Sequence, residues 1–206
     1  HDPRYDGISN LQFINKYEIM MENEVNSIAY HFIPNNMNSN LILYHQGHGG
    51  DFIEGIDTIQ FFLDNGYSVL AFSMPLLGMN NQPTVTSSNF GNFKLNSHNH
   101  FFFLESDQFS PMRYFIEPIW VSLDYVEQNF NYDSFHMIGI SGGGWTTTVY
   151  SALDQRISKS YSVSGTLPIF LRSDPGDIGD YEQTSHDFYN IANFLELYLM
   201  ASYGDD

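Results

Sequence analysis

The sequence Gly-Ile-Ser-Gly-Gly at residues 139–143, called the serine turn below, constrains the fold of this chain more than any other stretch. A short apolar run leads into it from residue 135, which predicts a buried strand, and a helix-compatible segment follows. A serine in this Gly-x-Ser-x-Gly context lies on a sharp turn that pushes its hydroxyl out of the sheet. Such a turn needs neighbours without a Cβ, and Gly139 and Gly143 flank Ser141 at the required spacing. The pattern predicts an α/β fold with Ser141 as a candidate nucleophile.

A glycine-rich connection between a strand and a helix also occurs in α/β proteins that have no catalytic serine, so the pattern alone leaves this alternative open. In the catalytic interpretation, Gly142 and the start of the helix place backbone N–H groups where negative charge on a substrate oxygen would be stabilised. A second motif, at a suitable place upstream, favours that interpretation.

This second motif follows another predicted strand. Residues 41–44 form a continuous apolar run, which is typical of a strand buried on both faces. The strand leads directly into His-Gln-Gly-His-Gly-Gly-Asp, residues 45–51, called the glycine loop below. A helix that ends near residue 65 and a buried strand over 67–73 come next. Strand, helix and strand form a βαβ unit, which implies parallel strands and a right-handed crossover.

The whole chain, residues 1–206, is predicted to form a single domain. Residues 1–40 are predicted to be peripheral N-terminal strands, paired antiparallel at a sheet edge. Residues 41–165 are predicted to be the core that carries both motifs. Residues 166–206 are predicted to be a loop followed by a terminal helix.

Four local predictions complete this description. The polar stretch from residue 74 to about 108 is predicted as a loop whose aromatic residues are suited to wall a pocket. Ser110 and Pro111 predict the N-cap and first residue of a helix. Residues 168–186 are predicted as a second loop. The terminal helix is predicted to end at Gly204, from an apolar stripe made of Ile191, Phe194, Leu195, Tyr198 and Leu199.

Composition excludes several classes of function. Aromatic residues at 17% and hydrophobic residues at 42% suit a globular protein. The formal charge of −17, with only seven Lys plus Arg, argues against a nucleic-acid surface and against docking on anionic membranes. The absence of cysteine excludes disulfides and thiolate chemistry. No apolar stretch approaches the ~20 residues of a membrane span. The first residue is His1, so we expect a processed or trimmed chain, and its cellular compartment stays open.

The order of the two motifs among the predicted strands and helices resembles the α/β-hydrolase family, in particular its dienelactone-hydrolase and acyl-esterase-like branches, over roughly residues 25–165. The resemblance implies an α/β-hydrolase-like sandwich, with a mostly parallel central sheet and helices on both faces. It also implies that Ser141 is the nucleophile. The loop at Gly47 and His48 would then supply one backbone N–H of the oxyanion hole, and Gly142 the other.

Four histidines are candidates for other roles. The resemblance implies that His45 and His48 are structural and hold the glycine loop in shape, and that neither is the catalytic base. His98 and His100 stand two residues apart, a spacing that metal ligands sometimes have. Because no companion cluster is visible, polar loop residues are the favoured interpretation of this pair. No metal ion and no organic cofactor is predicted.

The catalytic acid and base are harder to place. In the family, both follow the nucleophile on loops after later strands. Here only one further strand, a loop and a helix are predicted after the serine turn. One alternative pairs His186, the sole downstream histidine, with Asp177 or Asp180. The favoured alternative is that the last two strands of the fold are missing and that the acid and base lie beyond residue 206, since Asp205 and Asp206 follow a helix.

The resemblance therefore implies a serine hydrolase that cleaves carboxylic esters of small molecules through an acyl-enzyme on Ser141. Two alternatives remain open: a catalytically incomplete hydrolase-like fragment or binding module, and a peptidase of the same fold. The sheet edge left open by the missing strands predicts self-association. No nucleic-acid partner and no membrane partner is expected.

Overall fold

A six-stranded mixed sheet, with a separate two-stranded sheet beside it, organises the computed structural model, which describes residues 3–203. The strands are β1 (Leu11–Met20), β2 (Asn26–Pro34), β3 (Asn40–His45), β4 (Ser68–Phe72), β5 (Thr84–Ser87), β6 (Gly91–Lys94), β7 (Ser134–Ile140) and β8 (Ile157–Val163). The helices are α1 (Ile56–Asp64), α2 (Arg113–Asn129), α3 (Gly142–Leu153), α4 (Tyr181–Thr184), α5 (His186–Ile191) and α6 (Phe194–Ser202). The predicted helix stop at Gly204, and with it Asp205 and Asp206, lies outside the described residues.

The order of strands in the large sheet is β1-β2-β4-β3-β7-β8. The β1–β2 and β2–β4 pairs are antiparallel, whereas β3 pairs parallel with β4 and β7, and β7 pairs parallel with β8. This confirms the antiparallel N-terminal pair at a sheet edge and the parallel βαβ unit. In the register of β3 and β7, His45 lies opposite Gly139. The glycine loop and the serine turn therefore leave the same edge of the sheet.

Helices cover both faces of the sheet, as predicted. The alternation of side chains along β3 shows how the two layers arise. Leu41 and Leu43 pack into a core that includes Trp145 of α3 and residues of α2, while Ile42 and Tyr44 pack on the opposite face against α1. Full burial of each such side chain stabilises the fold by about 1.5–3 kcal/mol.

The prediction of a plain loop over residues 74–108 is wrong. The segment contains the β5–β6 hairpin and a 3₁₀ helix, His98–Phe103. Gly91, at φ +70°, has the left-handed conformation that closes such hairpins. The 3₁₀ helix begins where the Ser97 side chain accepts a hydrogen bond from the backbone N–H of Asn99, and its Phe101 is buried. Local capping and one buried aromatic thus give structure to a stretch that looks merely polar.

The predicted start of the helix at Ser110 and Pro111 is also wrong. Helix α2 begins at Arg113, after a turn in which the carbonyls of Ser110 and Pro111 accept backbone hydrogen bonds. Its N-cap residue, Met112, makes no side-chain capping hydrogen bond.

The C-terminal region differs most from the prediction. Helix α4 lies inside the segment 168–186 that was predicted as a loop. The terminal helix is two helices, because Asn193 and Glu196 form a capping box that starts α6 afresh. The buried residues of α6 are Phe194 and Leu197, so the predicted stripe does not define the buried face. The other members of the predicted stripe include three exposed side chains, Ile191, Leu195 and Leu199.

Within residues 3–203, no helix is long and apolar enough to cross a membrane.

Candidate active site

Ser141 occupies a strained turn between β7 and α3. Its backbone has φ 54° and ψ −121°, a left-handed value that costs a non-glycine residue on the order of 1–3 kcal/mol. The turn is held by hydrogen bonds from Ser141 N to Val163 O (2.8 Å) and from Trp145 N to Ser141 O (3.0 Å). The residue is exposed, and its Oγ has no hydrogen-bond partner among the described residues. The predicted strained turn with an accessible hydroxyl is present.

The glycines on either side of Ser141 are required by space. A Cβ on Gly139 would lie 2.2 Å from the carbonyl oxygen of Gly143. A Cβ on Gly143 would lie 2.0 Å from the carbonyl oxygen of His45. Both clashes are with backbone atoms that cannot rotate away. These clashes confirm the prediction that the turn needs residues without a Cβ at 139 and 143.

Gly47 brings the glycine loop against the serine turn. A Cβ at Gly47 would lie 2.5 Å from Ile140 O, 2.7 Å from Ser141 Cβ and 3.3 Å from Gly142 N. Gly142 is the first residue of α3, so its N–H has no acceptor within the helix. The loop and the turn therefore place the backbone of Gly47 and the N–H of Gly142 beside the Ser141 side chain.

His45 is fully enclosed at the start of the glycine loop. Its Nδ1–H donates to Gln46 O at 2.9 Å, and its ring stacks on Phe72. Burial lowers the pKa of His45 to about 4, so the ring is neutral near pH 7. Tyr44 adds a hydrogen bond from its hydroxyl to Gln46 Oε1 at 2.6 Å. These contacts fix the path of the loop.

His48 faces both the serine turn and a carboxylate. A Cβ on Gly142 would lie 2.5 Å from both Cε1 and Nδ1 of His48. On the other side of the ring, His48 Nε2 lies 3.0 Å from Glu182 Oε1 and 3.5 Å from Asp180 Oδ2. Burial lowers the pKa of His48, but the two carboxylates outweigh it and the pKa is raised.

His98 completes a group that we call the histidine–carboxylate cluster: His48, His98, Asp180 and Glu182. His98 Nδ1 lies 3.2 Å from Glu182 Oε2 and 3.2 Å from His48 Nε2. Burial raises the pKa of Glu182, but the two imidazoles act in the opposite direction and lower it to about 2. The Glu182 carboxylate is therefore ionised at neutral pH.

Sequence reasoning missed this cluster. His98 was considered together with His100, but the two diverge: His100 Nδ1 lies 3.0 Å from Lys94 O at the surface. The actual neighbour of His98, His48, precedes it by 50 residues, and Glu182 lies in a segment that was predicted as a loop. No motif spacing in a single sequence signals such a long-range group.

Among the described residues, neither Asp177 nor Asp180 contacts His186. The His186 side chain is 85% exposed, and its partners are Asp187 and Asn190. Asp180 contacts His48 instead, and the backbone carbonyl of Asp177 accepts a hydrogen bond from Arg172. The alternative triad with His186 is therefore not formed in this structure.

Among the comparisons with known proteins, the one with solved structures found similar chains. Neither a protein-family model nor a curated protein sequence matches the chain. Among solved structures, the esterase Pf2001 of Pyrococcus furiosus is 16% identical, with a TM-score of 0.52, over 77% of this chain and 52% of that one. A probable hydrolytic enzyme from Pseudomonas aeruginosa PAO1 is 16% identical over 75% of this chain and 42% of that one, with a TM-score of 0.48. The α/β hydrolase GrgF from Penicillium sp. sh18 is 12% identical over 71% and 44%, with a TM-score of 0.48.

This chain thus spans about half the length of the solved structures that it matches. At such low identity the likeness to Pf2001 defines the fold alone. The chain has an α/β-hydrolase-like fold, and the resemblance that its motifs predict is confirmed at that level.

Proposed function

We propose that the protein is a serine hydrolase of the α/β-hydrolase type that cleaves carboxylic esters of small molecules through an acyl-enzyme on Ser141. The observation that carries the proposal is the accessible Ser141 hydroxyl, on a left-handed turn directly beside Gly47. A left-handed serine is costly, and such strain clusters at functional sites. The fold, and the name of the similar solved structure Pf2001, an esterase, support the same class of reaction.

In the proposed reaction, Ser141 Oγ attacks the ester carbonyl carbon while its proton passes to a base. The tetrahedral intermediate then expels the alcohol, which takes up that proton, and leaves an acyl group on Ser141. Water attacks the acyl carbon in the second half and releases the acid. Backbone N–H groups of Gly47, His48 and Gly142 are proposed to bind the oxyanion, and loss of one such donor costs about 10²–10³ in kcat.

The base and the acid are proposed to come from outside residues 3–203. The exposed Ser141 Oγ has no imidazole bonded to it among the described residues, and His186 is turned to solvent. The chain also spans only about half the length of its structural neighbours. A longer protein with this fold has room for an acid and a base on later loops.

The lack of an imidazole bonded to Ser141 Oγ among the described residues also favours a second candidate, a catalytically incomplete hydrolase-like module. A serine without a base is a weak nucleophile. In this alternative, the described chain binds esters or other ligands at the serine turn and hydrolyses them slowly or not at all.

The test is turnover of a chromogenic acetate ester by the protein that carries this chain together with the proposed acid and base, and by two variants of it. Ser141→Ala removes the proposed nucleophile. Ser164→Ala is the matched control, because Ser164 is also an exposed serine with a positive φ, 50°, directly after β8. We expect turnover by the parent and by Ser164→Ala, and none above background by Ser141→Ala.

Equal turnover by all three chains contradicts the proposal, because the ester would then be cleaved elsewhere. Absence of turnover in the parent favours the incomplete module. A matching chromogenic anilide separates an esterase from a peptidase of the same fold.

A further inference from the structure

The histidine–carboxylate cluster has the donor atoms and the spacing of a metal site. It joins three segments: the glycine loop (His48), the 3₁₀ helix 98–103 (His98), and the start of α4 (Asp180 and Glu182). One ligand atom from each residue lies within 4.8 Å of all the others. The proposed hydrolytic mechanism assigns no role to His98, Asp180 or Glu182.

The tautomer of His98 is set by its second nitrogen. Nε2 lies 2.8 Å from the carbonyl oxygen of Pro75, which only accepts hydrogen bonds, so Nε2 carries a hydrogen. In the neutral ring, Nδ1 is then a lone pair directed at Glu182 Oε2 and at His48 Nε2, each 3.2 Å away. A backbone carbonyl behind the ring is the usual partner of a metal-ligating histidine.

Glu182 supplies an independent observation. Its side chain is 0% exposed, and although its two oxygens lie close to imidazole nitrogens, neither receives a hydrogen bond of acceptable geometry from the described residues. A buried carboxylate in this position needs a positive charge beside it, either on the neighbouring imidazoles or on a bound cation. One proton between the two facing imidazole nitrogens leaves both carboxylate oxygens without a donor. A cation at the centre of the four groups satisfies all of them together.

We propose that His48, His98, Asp180 and Glu182 bind one first-row divalent metal ion, with Zn²⁺ the best match. Two imidazole nitrogens and two carboxylate oxygens suit Zn²⁺ better than Mg²⁺ or Ca²⁺, which prefer oxygen ligands. The proposal departs from the sequence-based expectation that no metal is bound.

The separations from His48 Nε2 agree with a four-coordinate ion. Tetrahedral Zn²⁺ with bonds of about 2.0–2.1 Å places neighbouring ligand atoms about 3.3 Å apart. The separations from His48 Nε2 are 3.0 Å to Glu182, 3.2 Å to His98 and 3.5 Å to Asp180. The formal charge of −17 also raises the local concentration of cations at the protein surface.

Four protein ligands leave no open position, so the site is structural rather than catalytic. The metal ties the glycine loop to α4 and holds the His48 ring against Gly142. Arg172 braces the same segment, since it donates hydrogen bonds to the carbonyls of Asp177 and Ile178 and to Gln183 Oε1.

The experiment is a Zn²⁺ titration of the chelator-treated chain in competition with a chromogenic chelator. His98→Gln removes a ligand, and His100→Gln is its matched control two residues away. Asp180→Asn removes a partly exposed ligand with little risk to folding, and Asp187→Asn is its control on a neighbouring exposed carboxylate. No readout depends on hydrolysis, so failure here is distinct from failure of the proposed function.

We expect the parent to bind one Zn²⁺ per chain and Zn²⁺ to raise its melting temperature. The affinity should fall by about 100-fold or more in His98→Gln and by at least about 10-fold in Asp180→Asn, as loss of a ligand should exceed the 10–100-fold cost of losing an outer partner. Co²⁺ in the parent should show the intense visible bands of four-coordinate cobalt.

Three results overturn the proposal. One is a parent that binds Zn²⁺ no more tightly than His98→Gln does. Another is a loss of affinity in the His100→Gln and Asp187→Asn controls as large as in the ligand variants. The third is a Co²⁺ spectrum typical of the six-coordinate hydrated ion.

Discussion

The serine turn and the histidine–carboxylate cluster touch each other where His48 meets Gly142, yet they are built by different means. The serine turn depends on backbone. Its conformation needs glycine at 139 and 143, because carbonyl oxygens occupy the space of a Cβ. The cluster depends on side chains that distant segments bring together, and its central carboxylate is buried.

This difference predicts which kind of substitution should affect each region. One added methyl group should disrupt the serine turn and leave the charges of the cluster unchanged. Removal of a charge or of a hydrogen bond should weaken the cluster and leave the path of the serine turn intact.

Gly47→Ala should have the largest effect, at Ser141. A Cβ there would lie 2.5 Å from Ile140 O and 2.7 Å from Ser141 Cβ, so the glycine loop must move away. We expect modification of Ser141 by a serine-directed phosphonate to slow by about 10²–10³-fold, the typical cost of losing one oxyanion donor. Gly49→Ala is the control on the same loop, since its Cβ would meet its nearest neighbour at 3.8 Å. Equal rates in the two variants would remove Gly47 from the site.

Gly143→Ala should have the largest effect on stability. The added Cβ would lie 2.0 Å from His45 O, so the backbone of α3 or of β3 would have to shift. We expect the free energy of unfolding, measured with urea, to fall by about 3 kcal/mol, the upper range for overpacking. Gly7→Ala, with nothing within 4 Å of its added Cβ, should change it little. A loss below about 0.5 kcal/mol, the scale of ordinary surface substitutions, would show that the turn can accommodate the added methyl group.

Tyr189→Phe should act on the cluster and spare the serine turn. The Tyr189 hydroxyl accepts a hydrogen bond from Trp145 Nε1 and donates one to Glu182 O, both at 2.8 Å. Its removal leaves a buried indole N–H without a partner, at a cost of about 1–3 kcal/mol in stability. We also expect weaker Zn²⁺ binding, with the rate of phosphonate modification unchanged. Tyr161→Phe, at an exposed hydroxyl, is the control. Slower phosphonate modification would show that the two regions are coupled.

The sequence predicted the backbone-defined region well because its determinants are local. Gly139, Ser141 and Gly143 lie within five residues, and the apolar run before them defines a parallel strand of the core. The parallel pairing of β3 with β7 then brings the glycine loop alongside without any further signal. The oxyanion assignment to Gly47, His48 and Gly142 remains a proposal.

The side-chain-defined region was out of reach because its members depend on capping and on tertiary packing. Helix α4 is only four residues long, and Tyr181 anchors it by packing on Phe101 and Phe102. The restart at α6 did have a local signal, since Asn193 and Glu196 show the spacing of a capping box. The exposed edge strand β8, with Tyr161 and Val163 at the surface, is present, while self-association through it stays a prediction.

The smallest expected effect is the contribution of His31 to the pH dependence of stability. Unlike His48, His31 is a buried imidazole with no carboxylate partner among the described residues. His31 lies between the hydroxyls of Tyr17 and Tyr132, and burial lowers its pKa to about 3. The pKa values of Tyr17 and Tyr132 are raised to about 12, so neither titrates in acid.

The sign follows from proton binding. Between pH 6.5 and the lowered pKa, the unfolded state binds more protons than the folded state, so stability falls as pH falls. From pH 6.5 to 5.5, His31 should contribute a loss of about 1 kcal/mol in the free energy of unfolding. Urea unfolding at both pH values should show a smaller difference for His31→Gln than for the parent. His186→Gln, at an exposed histidine, should match the parent. An unchanged difference in His31→Gln would contradict this account.

The most direct measurement is the site of covalent modification by a serine-directed fluorophosphonate, found by intact mass and peptide mapping. If the serine turn holds a reactive hydroxyl, the parent gains one phosphonyl group on Ser141, and Ser141→Ala gains none under the same conditions. Modification of Ser141→Ala to the same extent as the parent, or of the parent at another residue, would contradict the assignment of Ser141 as the nucleophile.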